Sequence, residues 1–474
     1  MLLSVFFVLI LGGLLIALTS EKNLGLLKSL SVLTTGVVLL ISSFLLIGFD
    51  KNSSFFQYTV QLDSYFNFYN VLPSFGLDGL SVYFFYLTAI LIFLCIIFIG
   101  EEPHYKNFSL TLLVIEFFLL VIFSTLDLFL FYVFFEGILI PMFILIGFWG
   151  SRARKTRAAY LLFFYTFCSS ILMLVGLLYI YRTCGTFSIE YLLAHKFTFE
   201  EQKYLWIAFF LSFASKIPMF PFHIWLPEAH VEAPTVGSVL LAGILLKMGV
   251  YGFIRFSLTL FPEASIYFTP LVYVLSIIGI IHASMAALRQ TDVKRVIAYS
   301  SIAHMNLVTL GIFAFNGMGL SGAVLQSVSH GFVSGGLFFL VGIIYSRYHT
   351  RFLQYYGGIV HFMPLFSIIF LVFTMANIAL PGTANFTGEF LLLTSVYNAS
   401  FITGVIASLG VILGGGYSLW LCNRILFGNL KVNFLISFKD MDYREFLVMF
   451  PLLVFTLVLG IYPTYVLSCL KFLG

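Results

Sequence analysis

The sequence predicts an all-α polytopic membrane protein of about fourteen transmembrane helices, two of them broken. Three observations predict it. Of 474 residues, 61% are hydrophobic and only 9% charged, against about 25% charged in an ordinary soluble chain. The mean hydropathy is +1.06, too high for a fold that must cover its surface with polar groups. The apolar residues fall in runs that suit a hydrocarbon core, which takes roughly 20 residues per helix. Such crossings use up the chain, so 1–474 reads as a single integral membrane domain with no soluble catalytic module.

The elements follow in order from apolar runs and their polar breaks. Segment 1–19 lacks a charged n-region, so it reads as a first span and not as a cleaved signal. Segments 28–48, 79–99, 109–125, 127–149 and 157–181 come next. The seventh, 204–226, carries KIPMFPF, and its prolines predict a broken helix, tolerated at membrane depth only where freed backbone faces protein or a wet cavity. Segments 235–260, 267–289, 294–315 and 318–346 are continuous. The twelfth, 362–398, is too long for one helix and has ALPGTANFTG at its middle, a second break. Segments 400–424 and 446–470 end the series.

Lysine and arginine set the orientation. Loops after odd-numbered segments hold sixteen of them, including Lys294 and Arg351, while loops after even-numbered segments and the C-terminus hold six, including Arg255 and Lys471. The positive-inside pattern then places both termini outside. The two remaining cations, Lys216 and Lys247, fall inside spans. Glu136 precedes Lys216 by 80 residues and His304 precedes Glu389 by 85, each stretch ending at a broken helix. An offset of five spans makes such a repeat inverted in the membrane. The expected repeats are five-helix units at 109–260 and 267–424.

Ionisable groups at bilayer depth cost about 2.5–3.5 kcal/mol each on insertion scales and mark ion paths by default. Glu136 lies mid-span in FYVFFEGILIPMF, Lys216 directly before Pro218, Lys247 mid-span in ILLKMGVYGF, and Glu389 just past Pro381. Two acids and two bases can neutralise one another in pairs, or pass a proton as partners approach and leave. A structural ion pair is the plainer reading of any one of them. His304 and His330, among Ser, Asn and Gln, suit a relay between buried charges, because imidazole gives and takes a proton near neutral pH. Glu116 is a fifth charged candidate, near enough to a span end to snorkel.

Other chemistries lack support. The five cysteines form no C-x-x-C pair, so neither a disulfide framework nor a thiolate cluster is expected. His223 and His230 have no further ligand set for a metal, and the histidines do not form facing haem pairs. GMGLSG at 317–322 has dinucleotide-loop spacing but opens a span and follows no strand. The basic SRARKTR loop is explained by topology, and no nucleic-acid signature is present. The high phenylalanine content fits lipid-facing drift or an AT-rich organellar genome.

Three strings, FYVFFEGILIPMFILIGFWGSR, FHIWLPEAHVEAPTVGSVLLAGILLKMGVYGF and TDVKRVIAYSSIAHMN, closely resemble the chain 4 family of respiratory NADH:ubiquinone oxidoreductase, complex I. The resemblance runs from about residue 76 to 445. It implies an antiporter-like, proton-pumping subunit with two inverted five-helix repeats. It implies a Glu136–Lys216 switching pair, Lys247 as central proton holder, and His304 and His330 relaying onward to Glu389. The chain itself would hold no cofactor, with NADH, FMN, Fe–S clusters and ubiquinone in other subunits. The implied partners are the other membrane-arm subunits, above all the other antiporter-like chains, and lipid. The implied location is the mitochondrial inner membrane, or alternatively a bacterial plasma membrane. A sister chain bears a long lateral C-terminal helix, whereas about four residues follow the last predicted span here. A subunit of an Mrp-type Na+/H+ antiporter and a non-pumping scaffold are the rival readings.

Overall fold

A computed structural model describes residues 1–53, 55–61, 73–100, 102, 104–429, 431 and 439–470. Lys471 and the few residues after the last predicted span lie outside the described residues. The chain forms two compact units, Met1–Lys216 with Lys247–Phe268, and Ile217–Leu246 with Thr269–Gly474.

Every apolar segment read from the sequence contains a helix. Among the described residues ten helices are long and apolar enough to cross a membrane alone. The first segment, Leu2–Leu18, is shorter. The seventh and twelfth are divided, and the tenth, Val293–Ile312, opens with Lys294 and Arg295. The count of fourteen therefore holds for apolar segments and not for uninterrupted crossing helices.

Of the long helices lying wholly in the first unit, Ser81–Phe98 is the most enclosed, packing against Leu24–Ile47 and Tyr105–Ser124. Around it Phe84, Phe123, Phe131 and Tyr251 form an aromatic cluster with centroids 5.4–6.5 Å apart, a range that favours offset and edge-on contacts. Asp127 caps the next helix, accepting from the Leu130 N–H at 2.8 Å. That helix, Leu128–Gly137, hitches at Ile138 before resuming as Leu139–Trp149. Pro141 is the cause: it has no N–H to give the Gly137 carbonyl four residues back. A feature absent from the sequence reading is an antiparallel pair of strands, Gln57–Gln61 and Ser74–Leu77, the second of which delivers Asp78 to the start of Ser81–Phe98.

In the second unit the core is helix Gly317–Tyr348, buried along its apolar window. It packs against Val293–Ile312, Ala384–Ala399 and Tyr443–Ile461. Its start is capped by Asn316, whose side chain accepts from the Gly319 N–H at 2.7 Å, so GMGLSG is a capped helix start. The approach to Ala384–Ala399 needs a glycine: a Cβ on Gly388 would lie 2.4 Å from Gln326 Oε1 and 2.8 Å from its Cα. Small residues set close helix approach where water supplies no driving force.

Both predicted breaks are present. Phe199–Lys216 stops before Pro218, and the chain resumes as Trp225–Glu232. The divided segment thus runs past the predicted end at residue 226. Glu228, His230 and Glu232 ended the apolar run on paper, yet His230 and Glu232 are buried. Pro364–Asn377 and Ala384–Ala399 flank the second break, where Gly382 has φ +93°, a left-handed conformation suited to glycine. The last long helix ends at Ile461, before Pro463, and short turns continue to Leu470.

Candidate functional site

The first unit holds Glu136, Lys216 and Lys247. Glu136 sits one residue before the end of Leu128–Gly137, beside the hitch that Pro141 creates. Lys216 is the last residue of Phe199–Lys216, where the negative end of the helix dipole favours a cation. Its Nζ donates to the Phe135 carbonyl at 3.3 Å and lies 4.4 Å from the Phe135 ring centroid. Glu136 and Lys216 attract one another, with Ser170 also beside the carboxylate. They do not close to a contact pair within 4.0 Å. The arrangement is an open pair, each partner within the other's field.

Lys247 is fully buried. Its helix, Thr235–Leu260, is continuous, but Leu241–Leu245 and Phe253–Ser257 are π-helical and flank an α-helical stretch, Leu246–Gly252, that carries the lysine. π-turns loosen the backbone ladder and occur disproportionately at functional positions. Glu116 is fully buried, with neither oxygen hydrogen-bonded among the described residues, so it does not snorkel.

The second unit brings His304, His330 and Glu389 together. His304 Nδ1 and Glu389 Oε1 are 2.7 Å apart, and Gln326 Nε2 donates to the same oxygen at 3.2 Å. The His330 ring centroid is 5.7 Å from that of His304. His304 Nε2 has no hydrogen-bond partner among the described residues. A cavity of about 20 Å³, lined by His304, Glu389, Asn377 and Tyr417, adjoins the pair. That is room for about one water. His304 touches Glu389 directly, and the His330 ring neighbours that of His304.

Sequence reasoning missed several buried charges by assigning them to loops. Arg255, counted as an outer-loop cation, is buried and paired with Asp78. Lys294 and Arg351, counted on the inner side, are buried as well. Lys294 Nζ donates to the Ala233 carbonyl at 2.8 Å and to Ser238 Oγ at 3.3 Å. The Arg351 guanidinium lies 3.8 Å from Asp292 and 4.0 Å from Glu232. The available signal was the local balance of charges, since Glu232, Asp292, Lys294 and Arg351 sum to zero. His223 faces His282, centroids 5.1 Å apart, and His230 stacks on Phe338 at 4.6 Å. No group of three or more metal-ligating side chains occurs among the described residues.

A polytopic helical membrane protein with interrupted helices and buried titratable groups is the class this fold and site define. The chain belongs to the NADH:quinone oxidoreductase/Mrp antiporter transmembrane family, whose family model matches residues 125–414. It is 47% identical over 463 residues to NADH-ubiquinone oxidoreductase chain 4 of Marchantia polymorpha, covering 97% of this chain and 93% of that one. It is 48% identical over 465 residues to the chain of the same name from Chondrus crispus, covering 98% and 94%. Among solved structures it resembles a chain of respiratory complex I from Thermus thermophilus with bound NADH, at TM-score 0.90 and 30% identity, each chain covered in full (100%). It shares its fold with a chain of an archaeal membrane-bound sulfane sulfur reductase, at TM-score 0.86 and 22% identity, covering 97% of this chain and 76% of that one.

Proposed function

We propose that this chain is a proton-translocating membrane-arm subunit of respiratory NADH:ubiquinone oxidoreductase in the mitochondrial inner membrane, and that Glu136, Lys216, Lys247, His304, His330 and Glu389 carry its protons. Near-full-length identity to chain 4 of plant and algal enzymes supports the assignment over an Mrp-type Na+/H+ antiporter subunit. Its partners are the other membrane-arm subunits, especially the antiporter-like chains. NADH, flavin, Fe–S and quinone chemistry belongs to other subunits, and this chain needs only proton-handling side chains.

The observation that carries the proton role is the His304–Glu389 contact at 2.7 Å beside a water-sized cavity. An imidazole bonded through Nδ1 to a carboxylate can take a proton on Nε2 and release one through Nδ1, so it moves charge without moving far. In the first unit, closure of Glu136 on Lys216 would hold a proton on the lysine, and opening would release it. The five-helix repeats at 109–260 and 267–424 are part of the same reading, supported by a break near the end of each. Proton uptake by sealed inner-membrane vesicles during NADH oxidation tests the function. Sodium uptake without NADH, in place of proton uptake with it, would move the chain to the antiporter reading.

A further inference from the structure

Lys247, Tyr251 and Arg255 stand at four-residue intervals on one helix. Lys247 and Tyr251 share the α-helical stretch Leu246–Gly252, which puts them on one face a turn apart, with Cβ atoms about 5–6 Å apart. Tyr251 and Arg255 are in contact, the guanidinium Nε donating to the phenol oxygen at 3.3 Å. Through NH2 the same guanidinium donates to Asp78 Oδ2. Nε and NH2 form one edge of the guanidinium, with parallel N–H bonds. Arg255 therefore holds a phenol and a carboxylate side by side, and because the phenol oxygen accepts from Nε, its O–H can turn to the carboxylate. All four residues belong to the first unit. Tyr251 is held by its ring, against Phe84, Phe123 and Phe131, so its hydroxyl is a fixed point.

We propose that Tyr251 and Asp78 are further proton-conducting residues, forming a branch that leads from Lys247 along this helix to Asp78, with Arg255 as the residue that positions them. In the transfer, the Lys247 ammonium gives one proton to Tyr251 Oη while the Tyr251 O–H gives its own proton to the Asp78 carboxylate. Lys247 ends neutral, Tyr251 ends unchanged and Asp78 ends protonated. Arg255 keeps its proton throughout and loses a counter-charge, which favours passing the proton onward from Asp78. The branch rests on the reading of Lys247 as a proton holder.

The test uses the assembled complex in sealed membranes, measuring protons moved per NADH oxidised. Tyr251→Phe keeps the ring packing and removes only the hydroxyl. The expected result is that it lowers the ratio as far as Lys247→Ala does, and that the double variant is no lower than either single one, because the two residues act in series. Asp78→Asn should match Tyr251→Phe, and Asp78→Glu should recover part of the ratio. If Tyr251→Phe pumps at the parent ratio while Lys247→Ala is impaired, the branch is wrong and the wider reading stands. If Lys247→Ala pumps at the parent ratio, the wider reading fails and the branch fails with it. A double variant that falls below both single ones, or a Tyr251→Phe complex that does not assemble, gives the hydroxyl an independent or structural role and overturns the proposal.

Discussion

His304 and Glu389 come from two helices that pack on the same buried core helix and on each other, and their side chains meet with Nδ1 and Oε1 2.7 Å apart. The carboxylate is doubly held, since Gln326 from that core helix donates to the same oxygen. Two donors on one oxygen leave the second free to face the adjoining cavity. Glu389→Gln preserves shape but cannot bind the transferred proton, whereas Glu389→Asp retains titration on a shorter stem. Loss of pumping in the first and partial retention in the second, both assembled, is the expected outcome. A Gln variant with the parent's protons per NADH would show that the pair only ties helices together.

The open geometry of Glu136 and Lys216 leads to a second expectation. Lys216 is held by the Phe135 carbonyl and ring as well as by the field of Glu136. Lys216→Arg keeps a cation there, but guanidinium does not release its proton near neutral pH. Pumping should fall sharply in the arginine variant even where the complex assembles, as read from proton uptake by sealed vesicles. Normal turnover with arginine would mean that the site needs charge and not titration.

Lys247 differs from Lys216 in setting, lying between two π-helical turns instead of at a helix end. Removing a purely structural buried cation tends to be neutral or stabilising once its partner is also neutral. Lys247→Ala should instead lower protons per NADH while the assembled complex persists on native gels. An assembled variant with full pumping would remove Lys247 from the path.

Much of this was legible in the sequence because the bilayer imposes long apolar runs and makes each interruption conspicuous. Pro218 and Pro381 marked both breaks, and Glu136, Lys216, Lys247 and Glu389 stood out as charges with no water to face. The π-turns around Lys247 were not legible, since LAGIL and FIRFS look like ordinary helix. Nor was the direct His304–Glu389 contact, which depends on how Ala384–Ala399 packs on the core helix. Charges near segment ends were misread for a physical reason. The same excess of basic residues that orients a membrane protein also supplies buried pairs, and only packing distinguishes Arg351 from a loop cation.

That cluster gives a stability prediction. Arg351 is almost wholly buried, with Asp292 and Glu232 within 4.0 Å of its guanidinium. Arg351→Met would leave the two carboxylates with Lys294 as their one buried cation, one negative charge in excess, a change that costs about 3–5 kcal/mol when a buried pair is broken from one side. Less assembled complex and a lower melting temperature are expected. Adding Asp292→Asn or Glu232→Gln, one and not both, should restore much of both, because buried Lys294 then balances the acid that remains. Failure of that restoration would assign Arg351 a role beyond neutralising the two acids.

The last prediction concerns Gly388, the residue before Glu389. A Cβ here would lie 2.4 Å from Gln326 Oε1 and 2.8 Å from Gln326 Cα. The amide could turn aside at little cost, but a backbone atom cannot, so the two helices must part. Parting them withdraws Gln326 Nε2 from Glu389 and alters how the carboxylate meets His304. Gly388→Ala should therefore lower protons per NADH with a smaller loss of assembly than the Arg351 variant, since it removes no buried charge. Pairing it with Gln326→Ala should not rescue it, because the Cα and Cβ of residue 326 still crowd the new methyl at 2.8 and 2.9 Å and the amide that donates to Glu389 is gone. Full recovery would show that the amide was the only obstacle, and an unaffected Gly388→Ala would show that the close approach does not set the geometry of the acid.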